Sequence, residues 1–286
     1  RHGVYNSCNC VFVDVALSAG VDNMYDYFGK FGLGAKTGVD FYGESSGMLI
    51  PRASVKNVDL ARIGFGQAVA VTPVQLAAAV ASCINGGYLY RPYIVEEITD
   101  QNDNLAYRGG PYVRNTTVSE STCETLKDYL YGVVEEGSGK NAAVPGYKIG
   151  GKTGTAQKYE NGAIASGKYI SSFVGFTEIN GSTAVCLFLV DEPQGYAYYG
   201  SIVAAPYVGQ IFSSLFSYYG TPAQGDAAQE KIVMPDITDL TLSDAAATLR
   251  KLGIDYTYAG EGRVCYQIPL AGEEINRDSV VYFALE

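Results

Sequence analysis

IGGKTGTAQK, residues 149–158, sets Lys152 among glycines and threonines at the start of what reads as a β-strand. Two β-rich stretches follow it, YISSFVGFTEI (169–179) and STAVCLFLVDE (182–192). Between them stands Asn180-Gly181, a dipeptide suited to a tight hairpin turn. The spacing predicts an antiparallel sheet. Next comes SIVAAPYVGQIFSSLFSYYG (201–220), which reads as one long apolar helix able to cover a face of that sheet.

Upstream, the apolar residues of 10–34 fall at helical intervals and break at Gly32 and Gly34, predicting two short helices. In VTPVQLAAAVASCINGG (71–87), Thr72 suits an N-cap, Pro73 the first helical position, and Gly86-Gly87 the stop. A further helix is expected after Ser119, with Leu126, Leu130, Val133 and Val134 on one face and Gly137 at its end. The acidic end of that helix, VVEEG (133–137), reads as a solvated surface. After Gly220 the chain turns small and polar, so 220–231 is expected to be a linker between a domain at 1–219 and a small domain at 232–286. In the latter, Thr241 or Ser243 caps a helix running to Gly253, and DYTYAG (255–260) and SVVYFALE (279–286) read as strands.

With 286 residues and 47% hydrophobic composition, the chain can bury one sizeable core and a small second one. A net charge of −10 argues against nucleic acid as the main partner. No apolar run reaches the roughly 18 residues of a membrane helix. The 24 tyrosines are scattered and read as half-buried packing residues, so no glycan platform is assigned.

A lysine on a strand can simply be solvated, and Lys-Thr-Gly alone recurs by chance. The sequence adds a second signal 145 residues upstream, Ser7-Cys8-Asn9. Serine acyl-transfer enzymes that react with penicillin combine S-x-x-K, S-x-N and K-T-G. NSCN (6–9), 63–95, GGKTGTAQK (150–158) and SFVGF (172–176) stand in the order and spacing of class B penicillin-binding proteins, and residues 1 to about 218 resemble that family. Residues 234–285 resemble a PASTA domain, a pairing similar to Gram-positive division or sporulation transpeptidases. The resemblance implies an α/β (α+β) transpeptidase fold of the β-lactamase type, antiparallel sheet flanked by helices, and a small α+β domain behind it.

No serine in the chain is followed three residues later by lysine, so S-x-x-K is absent. Truncation upstream of Arg1 is the expected cause, and these residues alone are expected to be inactive. The resemblance implies a D,D-transpeptidase that cross-links stem peptides ending in D-Ala-D-Ala, in septum or spore cortex, and is acylated by β-lactams. It also implies a glycosyltransferase partner and an extracytoplasmic location, held by an N-terminal membrane anchor outside this chain. By the same resemblance Ser7 relays a proton to the leaving D-alanine, while Asn9 bonds the absent lysine or the substrate backbone. Lys152 supplies positive charge, and Thr153 and Thr155 bind the substrate carboxylate. Gly154 lets the peptide lie close to the strand, and the Thr155 N–H forms half an oxyanion hole. The alternative from a different class is a non-catalytic wall-binding or scaffold protein.

His2, Cys8, Cys10 and Asp14 form a candidate structural Zn²⁺ set if the turn around Ser7 is extended, with Ser7 and Asn9 on one side and the cysteines on the other. The competing expectation is that Cys8 and Cys10 are packing residues. A disulfide between them would be strained. Cys83, Cys123 and Cys186 lie at apolar positions and are expected in the core.

Overall fold

The structure, a computed structural model, describes residues 1–160, 163–195, 197–223, 232–275 and 279–286. The expected linker at 220–231 therefore lies largely outside the described residues. Two compact units emerge, residues 8–129 and residues 1–7 with 130–286.

In chain order the elements begin with α1 (His2–Tyr5) and α2 (Asn9–Lys30), then β1 (Met48–Leu49), α3 (Asn57–Gly64), β2 (Val69–Ala70) and α4 (Pro73–Ser82). Short strands β3 (Tyr88–Tyr90), β4 (Glu97–Thr99), β5 (Leu105–Arg108) and β6 (Val113–Thr116) lead to α5 (Glu120–Glu135). The central sheet follows as β7 (Ile149–Glu160), β8 (Ala163–Ile179) and β9 (Ser182–Asp191), and then α6 (Gly200–Val203) and α7 (Ala205–Tyr219). The small domain comprises β10 (Ile232–Val233), α8 (Leu242–Lys251), β11 (Asp255–Gly260), β12 (Val264–Ile268), β13 (Glu274–Ile275) and β14 (Val280–Leu285).

Within residues 8–129, α2 is two helices in effect, because Gly20 leaves helical geometry (φ 76°, ψ 166°). The start of α4 matches its sequence signal. Thr72 Oγ1 accepts from the Gln75 N–H at 3.1 Å, and Gln75 Oε1 accepts from the Thr72 N–H at 2.8 Å. Gln75 also donates through Nε2 to the carbonyls of Ala35 (2.6 Å) and Ser46 (2.9 Å), so one buried amide ties a long loop to a helix start. Replacing the buried Gln75 by alanine removes the side-chain partner of three part-buried backbone groups at once and empties the space its amide fills. A loss of about 3 kcal/mol in urea unfolding is expected, against less than about 0.5 kcal/mol for an exposed glutamine.

In the other unit, β7, β8 and β9 form an antiparallel sheet in that order, with Lys152 opposite Val174 and Thr155 opposite Ser171. Asn180 (φ 49°) and Gly181 (φ 82°) make the expected turn between β8 and β9. Val208, Phe212 and Phe216 of α7 pack with Val134, Ile149, Phe173 and Ile179 to form the main core. The long helix expected over 201–220 is interrupted at Ala204 (φ −128°, ψ −45°). Pro206 explains the break, since it has no N–H for the Ile202 carbonyl and its ring crowds that carbonyl.

The small domain has a three-stranded sheet of order β11-β14-β12, in which β11 runs parallel and β12 antiparallel to β14. The two strands expected from the sequence are β11 and β14; the structure adds β12, whose VCYQI spans only five residues, and the two-residue strands β10 and β13. Thr241, not Ser243, is the cap of α8, accepting from the Asp244 N–H at 3.3 Å. One face of this sheet packs under α8 through Leu249, Val281 and Phe283.

Candidate active site

Lys152 lies on β7, which among the described residues has a sheet neighbour on one side only. An edge strand leaves alternate N–H and C=O groups free to pair with an added peptide strand. The Lys152 ammonium reaches Ser7 and donates to its Oγ at 2.7 Å, with further bonds to the Thr153 carbonyl (3.1 Å) and Thr153 Oγ1 (3.4 Å). Among the described residues no carboxylate stands within ion-pair distance of it. Burial without a counter-charge pushes Lys152 down to about 8 from its ordinary 10.5.

Ser7 reaches this position through a strained turn. It follows α1, takes a left-handed conformation (φ 51°), and its N–H donates to the Val4 carbonyl at 3.2 Å. Tyr5 anchors the segment. Its side chain is 2% exposed, its hydroxyl accepts from Arg1 Nε at 2.5 Å, and its carbonyl accepts from the Ser138 N–H at 3.0 Å. Gly132 and Gly137 give it room, since a Cβ at either would run into Tyr5. Ser138 Oγ then meets Thr153 Oγ1 at 3.2 Å, so the segment bearing Ser7 and the strand bearing Lys152 are joined at a second point. Sequence reasoning missed Ser138, which belongs to none of the three short motifs.

Thr155 Oγ1 accepts from the Gly200 N–H at 3.1 Å. Gly154 stands against Ser172, whose Oγ would crowd a Cβ there at 2.6 Å. Asn9 is the first residue of α2, and Cys8 is its N-cap (φ −70°, ψ 108°).

The turn is therefore not extended as the zinc reading required. Cys8 and Cys10 flank a helix start, and residues two apart there do not share a face. His2 instead presents its ring edge-on to Tyr5, with centroids 5.7 Å apart. Among the described residues no group of three or more His, Cys, Asp or Glu side chains is placed to hold a metal, so His2, Cys8, Cys10 and Asp14 are not assembled as a site. All six cysteines are free thiols. Burial pushes Cys83 up to about 12 and raises Cys123 and Cys186 as well, so these three behave as core thiols.

A strand-borne lysine bonded to a serine hydroxyl, beside threonine hydroxyls on a sheet edge, suits the binding of a carboxylate and the passing of a proton. Comparison with known proteins identifies the family. Residues 1–213 match the penicillin binding protein transpeptidase domain, and residues 232–285 match the PASTA domain. The chain is 36% identical to stage V sporulation protein D of Bacillus subtilis, over 97% of this chain and 44% of that protein. It is 34% identical to a peptidoglycan D,D-transpeptidase FtsI homolog of Mesostigma viride, over 73% of this chain and 38% of that protein. The chain thus spans less than half the length of these relatives. Among solved structures, penicillin-binding protein 3 of Mycobacterium tuberculosis complexed with ampicillin superposes with a TM-score of 0.71 at 26% identity, covering 79% of this chain and 52% of that one. The apo transpeptidase domain of Burkholderia pseudomallei penicillin-binding protein 3 gives 0.65 at 28% identity, covering 77% and 64%. The chain belongs to the penicillin-binding protein transpeptidase family, with a PASTA domain at its C-terminal end.

Proposed function

We propose that the protein is a serine D,D-transpeptidase of peptidoglycan, acting on stem peptides that end in D-Ala-D-Ala and acylated by β-lactams. The observation that carries this reading is the 2.7 Å bond from Lys152 Nζ to Ser7 Oγ. It joins the leading residues of two of the family's three motifs, Ser7 and Lys152, which lie in the same compact unit. No S-x-x-K pair, the family's nucleophilic serine and its lysine, is present among these 286 residues.

In this scheme the nucleophile attacks the penultimate D-alanine carbonyl, and the expelled D-alanine nitrogen must take up a proton. Lys152 donates to a Ser7 lone pair, which leaves the Ser7 O–H proton free to point at that nitrogen. Ser7 is thus the last member of the relay. Asn9 offers an amide donor and acceptor to the nucleophile's lysine or to the substrate backbone. Thr153 and Thr155 hold the terminal carboxylate with their hydroxyls, and Lys152 holds it by charge. Gly154 lets the stem peptide approach β7 as an added strand. The Thr155 N–H supplies half an oxyanion hole, the nucleophile's own N–H the other half. Serine, lysine and hydroxyl groups supply every proton and electron pair, so the reaction calls for no cofactor.

The transpeptidase part occupies residues 1–219, the linker 220–231 and the PASTA domain 232–286. The substrate places the enzyme outside the cytoplasm, with an N-terminal membrane anchor and a glycosyltransferase that supplies the glycan strands. Likeness to stage V sporulation protein D favours a role in sporulation. Among the described residues no helix is long and apolar enough to cross a membrane. Fluorescent penicillin labelling of the full-length protein tests the reading. A covalent, denaturation-resistant label is expected, and a full-length protein that stays unlabelled would overturn it.

A further inference from the structure

The face of the small domain's sheet opposite α8 is also covered. Tyr282 and Ala284 of β14, with Tyr266 and Ile268 of β12, pack on Ala197, on Ile202 and Val203 of α6, and on Val190 of β9. Asn141 adds a polar bridge. Its Oδ1 accepts from the Val280 N–H at 2.9 Å, and its Nδ2 donates to the Ser201 carbonyl at 2.9 Å. The segment from Ala197 to Val203 therefore has the small domain on one side.

On its other side lies the strand that bears Lys152. Gly200 sits so close to β7 and β8 that a Cβ there would run into the carbonyl oxygens of Gly154 and Ser172. The buried Ser171 hydroxyl donates to the Tyr198 carbonyl, and the Tyr198 ring stacks on Tyr169 with centroids 4.2 Å apart. The segment's one bond to a proposed substrate-binding side chain is the Gly200 N–H to Thr155 Oγ1, at 3.1 Å. A threonine hydroxyl carries one proton and two lone pairs. Once a lone pair is taken by Gly200, that direction is closed to the proton, which is left to point away from the 197–203 segment.

We propose that the PASTA domain is a positioning brace for Thr155: docked through Tyr282, Ala284 and Val280, it holds the 197–203 segment so that the Gly200 N–H orients the Thr155 hydroxyl to donate to the substrate carboxylate. The inference rests on the reading of Thr155 as a carboxylate-binding residue. Asn141 and Tyr282 are positioning residues, since neither touches substrate. The brace acts on one hydrogen bond, so its loss should appear only with ligands that carry the carboxylate. A domain that merely stabilised the fold would affect all ligands alike.

The test is second-order acylation of the full-length protein by benzylpenicillin and by its methyl ester, which lacks the carboxylate charge. Asn141→Ala removes both ends of the polar bridge, and Ala284→Arg forces a long charged side chain into the buried contact. Each is expected to slow the acid roughly 3- to 10-fold and to leave the ester within about 2-fold. Thr155→Val, measured alongside, is expected to slow the acid roughly 10-fold or more with the same selectivity. Equal losses on acid and ester, or no loss, in both Asn141→Ala and Ala284→Arg would overturn the brace while a selective Thr155→Val leaves the carboxylate reading standing. An unselective Thr155→Val would overturn that reading and the brace with it.

Discussion

Lys152→Met in the full-length protein is expected to lower the rate of acylation by penicillin at least about 10³-fold while making the folded protein more stable. The two effects have one origin. An ammonium held at about 8 instead of 10.5 is in an environment that resists its charge, and at ~1.36 kcal/mol per pKa unit the penalty is of order 3 kcal/mol at neutral pH. Methionine fills a similar volume without that penalty and forgoes only the bonds to Ser7 and Thr153, leaving a net gain of about 1–2 kcal/mol. The sign can be checked by pH. Between about 8 and 10.5 the unfolded chain binds a proton that the folded one has lost, so stability contributed through Lys152 rises with pH across that window. Urea unfolding of wild type and Lys152→Met should therefore differ most below pH 8 and converge towards pH 10.5. A methionine variant that labels normally, or one less stable than wild type at pH 7, would contradict this account.

Ser7 should be nearly as sensitive, by a different route. Ser7→Ala leaves Lys152 in place but removes the hydroxyl that carries the proton, and positioned proton transfer is worth about 10²–10⁴-fold. The backbone adds a second comparison. Ser7 sits at φ 51°, where alanine is strained and glycine is not. Ser7→Gly should thus be about 1 kcal/mol more stable than Ser7→Ala and equally slow. If Ser7→Gly recovered activity along with stability, the hydroxyl would be a structural tether, not a relay.

What could be read in advance depended on how local each cause was. Thr72 and Pro73 declare the start of α4 within two residues, and Asn180-Gly181 declares the turn that sets the β8–β9 register. The pairing of Ser7 with Lys152 came from the resemblance of two motifs, because nothing in either segment alone says that residues 145 apart should meet. Other features were hidden because their causes lie elsewhere in the chain. Pro206 breaks the apolar run at Ala204, and a periodicity of apolar residues continues straight through that break. Asn141 looks like any loop asparagine until β14 and α6 are placed on either side of it. The zinc reading failed at the backbone. It assumed an extended turn, whereas Ser7 is left-handed, Cys8 is the N-cap and α2 begins at Asn9, so Cys10 and Asp14 follow helical geometry while Cys8 does not.

The account stands on Lys152 acting as a cation beside Ser7, and the pH dependence of acylation tests that most directly. The second-order rate of fluorescent penicillin labelling should be level below pH 7 and fall about tenfold per unit above a pKa near 8, the value that burial gives Lys152. A rate that stays level to pH 10 in the wild-type protein would contradict it.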